Sequence, residues 1–246
     1  THVGMVMLFD AVEGLPLAML EGASLTAIRT SAASALATDA LARPESARLA
    51  ILGCGEQARR HVKAMQAVRQ IEEIVVWGRS PEKAAAFAGE LAQEGVARAR
   101  SAVTVADAVS DADIVCATTS AKEPILFGAD LPEGVHVNLV GSAIPTTAEA
   151  DEDLVARSRF FVDYRTATLA AAGEFLRARD AGRVSDAHIL AEIGEVLAGQ
   201  AEGRTTPDDI TVYKSLGVSA QDLAAGELVY KRAQDAGVGV QVDLTD

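Results

Sequence analysis

The most specific chemistry in the chain lies in Gly53-Cys54-Gly55-Glu56-Gln57-Ala58, a G-x-G-x-x-A spacing. It follows the apolar run Arg48-Leu49-Ala50-Ile51-Leu52 and opens a helical stretch. In that context Gly53 permits the tight turn, Gly55 lets a pyrophosphate approach the backbone, and Ala58 keeps the helix close to the sheet. Glu56, Gln57 and Ala58 open the helix, where free N–H groups face phosphate. The next strand ends in Trp77-Gly78-Arg79-Ser80. An NAD enzyme places a carboxylate there for the ribose 2′-hydroxyl, and no carboxylate stands at this strand end. Arg79 can pair with a 2′-phosphate, Ser80 can donate to it, and Lys83 either assists or is surface charge. NADP(H) is therefore preferred over NAD(H); the competing reading of Arg79 is a solvated arginine. Thr118-Thr119-Ser120, after a further strand, either line the ribose and nicotinamide or cap the next segment.

The remaining reactive side chains carry weaker signals. His2, His61, His136 and His188 have no metal spacing and are read as non-ligands. Cys54 and Cys116 are far apart in apolar contexts, which suits buried free thiols in a reducing cytosol, with a disulfide or a metal site as the minor alternative. Asp163, at a strand end, either touches the site or caps a turn. The 246 residues hold 22 Lys plus Arg against 35 Asp plus Glu, a net charge of −13. Such a chain repels phosphate backbones, so nucleic acid is not an expected partner. No apolar run reaches the roughly 18 residues of a membrane helix, and Thr1-His2-Val3-Gly4 does not begin like a signal peptide. A cytoplasmic protein is expected.

The elements that must position these residues alternate. Strands are predicted at Arg48–Gly53, Glu73–Trp77, near Ala97–Ala99, at Asp113–Thr118, Val135–Gly141, Arg159–Asp163 and Ile210–Tyr213. Helices are predicted at Glu56–Gln70, at Pro81–Gly95 with Ser80 as cap, and at Thr104–Val109. Strands apolar throughout and alternating with helices indicate a doubly wound parallel sheet, an α/β fold. The last third reads as helical over Arg165–Ala181, Ile189–Ala198 and Ser219–Ala236. At the other end, Gly4–Asp10 and Leu15–Leu20 form a hairpin, too small to stand alone and expected to belong to a larger sheet that either a partner subunit or residues before Thr1 supply. The absent initiator Met favours a missing N-terminal piece. An Ala-rich helix, with Ser24 as candidate cap, follows to about Ala42.

Several stretches together resemble the ornithine cyclodeaminase/mu-crystallin family: Leu25-Thr26-Ala27-Ile28-Arg29-Thr30, the Gly53–Ala58 loop, Val76-Trp77-Gly78-Arg79-Ser80, Val140-Gly141-Ser142-Ala143-Ile144-Pro145 and Thr211-Val212-Tyr213-Lys214-Ser215-Leu216-Gly217. The resemblance runs nearly the whole chain. It implies a Rossmann domain over residues 31–217, with 1–30 and 218–246 as parts of a smaller α+β domain that dimerises and holds substrate. That domain is expected to be N-terminally incomplete, since the family's second carboxylate-binding arginine and its lysine precede Thr1. A homodimer is implied.

The resemblance also implies reactions at C=N bonds beside a carboxylate, on a small imino or amino acid. Arg29 matches the family's substrate-carboxylate arginine, with bridging to an acidic side chain as its bland alternative. Thr30 matches a residue that reaches the cofactor phosphates. Val140, Ser215, Leu216 and Gly217 are expected beside the nicotinamide, the last three offering backbone and hydroxyl contacts. Lys214 either polarises substrate or pairs with a core carboxylate, and the Gly173-Glu174 pair is read as structural. Cyclodeaminases carry a general acid/base aspartate where this chain has Ser142, a residue resembling that of the ketimine reductases. A hydroxyl does not take up a proton as a carboxylate does. NADPH-dependent reduction of cyclic or α-imino acids, of the pyrroline- or piperideine-2-carboxylate kind, is thus expected, with Arg29, Ser142 and Lys214 as catalytic candidates. Alternatives are an ornithine cyclodeaminase or amino-acid dehydrogenase of the same family, and a non-catalytic nucleotide or small-ligand binder.

Overall fold

A computed structural model describes residues 4–95 and 97–242; His2 lies outside them. The chain divides into two compact units, Thr30–Gly217 and the pair Thr1–Arg29 with Val218–Asp246. The boundary falls within the long helix α1 (Gly22–Leu41).

In the smaller unit, β1 (Met5–Phe9) and β2 (Pro16–Glu21) pair antiparallel. Alternation sorts their side chains: Leu8 is buried and Val6, Ala18 and Leu20 are half-buried, whereas Met5, Met7, Phe9, Leu17 and Met19 are exposed. The inward side packs on α9 (Ser219–Ala236), where a Cβ on Gly226 would lie 3.1 Å from Leu8 Cδ2. Among the described residues the hairpin forms a two-stranded sheet of its own. At the start of α1 the cap is not Ser24: the Glu21 carboxylate accepts the N–H groups of Ala23 (2.7 Å) and Ser24 (2.8 Å).

The larger unit is built on eight parallel strands in the order β5-β4-β3-β6-β7-β10-β8-β9. These are β3 (Arg48–Leu52), β4 (Glu73–Trp77), β5 (Arg98–Ser101), β6 (Ile114–Ala117), β7 (His136–Leu139), β8 (Arg159–Val162), β9 (Ile189–Glu192) and β10 (Thr211–Lys214). Helices α2 (Glu56–Val68), α3 (Pro81–Gln93) and α4 (Val105–Val109) connect the first of them. Ala50, Leu52, Val75 and Val115 face one core, while Leu49, Ile51, Ile74, Val76 and Cys116 face another on the opposite side. Period-two alternation with both classes apolar is what a sheet covered on both faces requires. Each fully buried Leu or Ile contributes about 1.5–3 kcal/mol to that arrangement.

Three elements depart from the sequence reading. Arg165–Ala181 is not one helix but two, α6 (Arg165–Ala171) and α7 (Gly173–Asp180), broken at Ala172, whose ψ of 94° is not helical. The break lets Gly173 press on the Thr147 carbonyl, 2.0 Å from where a Cβ would stand. Residues 189–198 begin as the edge strand β9 before the short α8 (Ile193–Leu197). A further helix, α5 (Glu152–Arg157), capped by Asp151, precedes β8.

Candidate active site

Strand β3 delivers the glycine loop to the switch point of the sheet, where β4 lies on one side of β3 and β6 on the other. Gly53 has φ +123°, and a Cβ there would stand 2.9 Å from both the carbonyl oxygen and Oγ1 of Thr118. Only glycine satisfies both conditions. Gly55 caps α2 without a side-chain hydrogen bond, and nothing lies within 4 Å of its missing Cβ. Among the described residues the helix therefore opens on uncapped N–H groups with room before them, and Gln57 Oε1 is buried there without a partner. Ala58 is fully buried, keeping α2 close to the sheet. Glu56 is neutralised by Arg60 at 2.7 Å. A bare backbone cradle at a helix N-terminus fits the pyrophosphate of a dinucleotide.

At the end of β4, Arg79 is exposed and has no hydrogen-bond or ion-pair partner among the described residues. Ser80 is less free. Its oxygen accepts the Lys83 N–H at 3.4 Å, capping α3, and its proton goes to Glu82 Oε2 at 2.7 Å. A carboxylate does stand near this strand end, at Glu82 rather than at the strand's last residues, and the Ser80 hydroxyl holds it below the usual carboxylate range.

Along the carboxyl edge, the expected hydroxyls are partly committed. Thr118 Oγ1 donates to the Leu52 carbonyl at 3.1 Å, and Thr119 Oγ1 donates to Glu149 at 2.7 Å, while Ser120 is exposed. Glu149 also accepts the N–H groups of Thr119 (2.7 Å) and Gly141 (2.6 Å). One buried carboxylate thus ties the ends of β6 and β7 together. Burial pushes its pKa up, against the pull of Lys214 and the Thr119 donors. No motif announces Glu149; its sole signal is a charge flanked by alanines, Ala148 and Ala150. Val140, half-buried, continues the β6–β7 ladder through its N–H to the Ala117 carbonyl at 2.9 Å.

Strand β10, between β7 and β8, carries Lys214 into the same region. Its buried ammonium donates to the Ser142 carbonyl (2.5 Å) and to Ser142 Oγ (2.8 Å), and pairs with Glu174 Oε2 at 3.3 Å. Ser142 Oγ in turn donates to Glu174 Oε1, which also accepts the Glu149 N–H at 3.0 Å. Lys214 therefore pairs with a core carboxylate, and all three of its protons are placed. The next turn is held by Asp163, which accepts the N–H groups of Tyr164 (2.8 Å), Leu216 (2.7 Å) and Gly217 (2.6 Å). Burial pushes the Asp163 carboxyl up. The Ser215 N–H goes to the Leu139 carbonyl, so none of the three backbone donors expected to meet a nicotinamide is free, and Ser215 Oγ is buried without a partner among the described residues.

In the smaller unit Arg29 donates from Nε to Asp222 and from Nη1 to Gln221 Oε1, both at 3.0 Å. The acidic bridge is thus present, and it takes two of the five guanidinium N–H groups. Thr30 is buried on the next position of α1. His61 and His136 are buried and bonded within the fold, His61 to Gln57 and Ser34, His136 to Thr211.

The parallel sheet with a glycine cradle at its switch point defines an α/β protein of the Rossmann type. A family model for the ornithine cyclodeaminase/mu-crystallin family matches residues 1–237, and the chain belongs to that family. It is 37% identical over 242 residues to a Delta(1)-pyrroline-2-carboxylate reductase of Bacillus cereus, covering 98% of this chain and 74% of the relative. It is 39% identical over 230 residues to the ketimine reductase mu-crystallin of Mus musculus, covering 94% and 69%. The Thermococcus litoralis Delta(1)-pyrroline-2-carboxylate reductase, solved with NADH and L-proline, superposes with a TM-score of 0.94 at 35% identity, covering 97% of this chain and 74% of that one.

Proposed function

We propose that the chain is an NAD(P)-dependent oxidoreductase acting on C=N bonds, a reductase of small cyclic or α-imino acids of the pyrroline-2-carboxylate type, with NADPH as preferred donor. The observation that carries this reading is Ser142. Where cyclodeaminases hold an aspartate, this hydroxyl is enclosed between Lys214 and Glu174, so no carboxylate at position 142 serves an amine. The reductases and ketimine reductase among the relatives point the same way.

Nicotinamide, when bound, supplies the hydride. The chain's own residues do the rest. The N–H groups opening α2, reached past Gly53 and Gly55, hold the pyrophosphate. Arg79, free and charged, pairs with the 2′-phosphate, and this supports NADPH. Thr118, Thr119, Ser120, Val140 and the Ser215–Gly217 turn border the nicotinamide end. Arg29, on the family motif Leu25–Thr30, grips the substrate carboxylate through N–H groups not taken by Asp222 and Gln221. Lys214, Ser142 and Glu174 hold the strand ends in one geometry, which is how a protein contributes when the cofactor carries the chemistry.

Residues 31–217 are read as the nucleotide domain, with 1–30 and 218–246 serving dimerisation and substrate. A homodimer is supported by the exposed apolar face Met5, Met7, Phe9 and Met19. The unpaired Cys54 and Cys116 support a cytoplasmic setting.

The test is the purified chain with pyrroline-2-carboxylate and piperideine-2-carboxylate, following NADPH and NADH oxidation separately. Turnover with a lower KM for NADPH is expected. Proline formed from ornithine without added imine would replace the reading by cyclodeamination, and binding without turnover would leave a ligand-binding protein.

A further inference from the structure

Gly78 does not owe its identity to its backbone: its φ is not among the positive values that favour glycine in this chain. It owes it to space. A Cβ at position 78 would stand 2.5 Å from Cys54 Sγ, well inside any real contact, while the next atoms, Ala84 Cβ and the Ser80 carbonyl oxygen, lie at a comfortable 3.8 Å. One sulfur is the whole obstruction. Cys54 occupies the first x of the G-x-G and packs against the core beneath α2 and α3, so displacing its side chain costs that packing. Burial pushes the thiol pKa up, so the sulfur is neutral and brings no charge to a neighbouring phosphate.

Position 78 follows β4 directly, the place from which a carboxylate would accept the adenosine ribose 2′-hydroxyl. With glycine there position 78 itself offers no acceptor, the neighbouring carboxylate Glu82 is engaged by the Ser80 hydroxyl, and Arg79 is the first side chain beyond the glycine. We propose that Cys54 and Gly78 form a steric pair that sets cofactor choice: the thiol fills the volume a side chain at 78 needs, and so keeps the strand end bare for a 2′-phosphate. The pair acts by excluding the alternative, as specificity devices commonly do. This inference rests on the NADPH reading above and assigns that preference to a coupling of two residues.

The chain's single tryptophan, Trp77, adjoins Gly78, so its fluorescence reads nucleotide binding without turnover. NADP+ and NAD+ are titrated into the full chain, into Gly78→Ala and Gly78→Asp, and into each of these combined with Cys54→Ala, with thermal unfolding run alongside. Gly78→Ala is expected to weaken both nucleotides at least about tenfold beside Cys54 and by less than about twofold beside Ala, the non-additivity of residues in contact. Gly78→Asp with Cys54→Ala is expected to move the affinity ratio toward NAD+ by about a hundredfold, and Gly78→Asp alone by far less. A single variant that misfolds and is rescued by Cys54→Ala also supports the pair. Equal effects in both backgrounds, or misfolding without rescue, overturn it. A wild-type chain that prefers NAD+ overturns the NADPH reading instead, while the Gly78→Ala comparison still decides the coupling.

Discussion

Lys214 Nζ stands 2.8 Å from the hydroxyl oxygen of Ser142, both residues buried, and Glu174 completes the group by accepting from the serine and pairing with the lysine. A buried cation and a buried carboxylate must answer each other. Removing one leaves the other as an uncompensated buried charge, so Lys214→Met is expected to cost about 3–5 kcal/mol in denaturant unfolding. Ser142→Asp adds a carboxylate beside Glu174; it is expected to lower the melting temperature and to yield no proline from ornithine.

Glu149 needs both of its oxygens as acceptors for geometric reasons. It accepts three donors, two N–H groups and one hydroxyl, on the ends of β6 and β7. Glu149→Gln turns one acceptor into a donor facing an N–H group, at a cost of about 1–3 kcal/mol. Urea unfolding of the variant measures this, and an unchanged midpoint would remove the stapling role.

Arg29→Gln is expected to raise KM for the imino acid about a hundredfold, the loss of a charge-assisted bidentate contact, with little change in nucleotide affinity. Asp222→Asn, which keeps the size but weakens the hold on Nε, should raise KM several-fold less. Steady-state kinetics at fixed NADPH separates the two, and equal effects would make Arg29 a purely structural bridge.

Acid should destabilise the fold through two rings. Burial lowers His61 from 6.5 to about 4 and His136 to about 3. The folded chain keeps both neutral, whereas the unfolded chain takes up protons below about pH 6.5. Stability is thus whole above that pH and is lost as pH falls toward 4, by up to about 3 kcal/mol for His61. His61→Gln should flatten the slope of unfolding free energy between pH 6.5 and 4 by about one proton.

Much of the larger unit was legible because strand and helix there obey separate periods. The sequence reading of β4 and α9 has the observed bounds, and Ser80 caps α3 as its position suggested, while Thr104, read as the first residue of a helix, is the cap of α4. The glycine loop was legible because few folds tolerate that spacing between a strand and a helix. Ile189–Glu192 reads as helix because Leu190, Ala191 and Glu192 are helix formers, and only the alternate burial set by β8 beside them makes the segment a strand. Glu149 and the partners of Ser142 were hidden for a different reason: apart from the Glu149–Gly141 contact, they meet across 25–72 positions of chain, a distance no local pattern encodes.

Asp163 spends the amides of Leu216 and Gly217, and Leu139 spends that of Ser215. What the backbone of that turn has left to show a neighbour is lone pairs. A ligand group resting on it is welcomed for the hydrogens it brings and refused for its negative charge. A primary amide on a pyridine ring suits such a surface, and the corresponding acid does not.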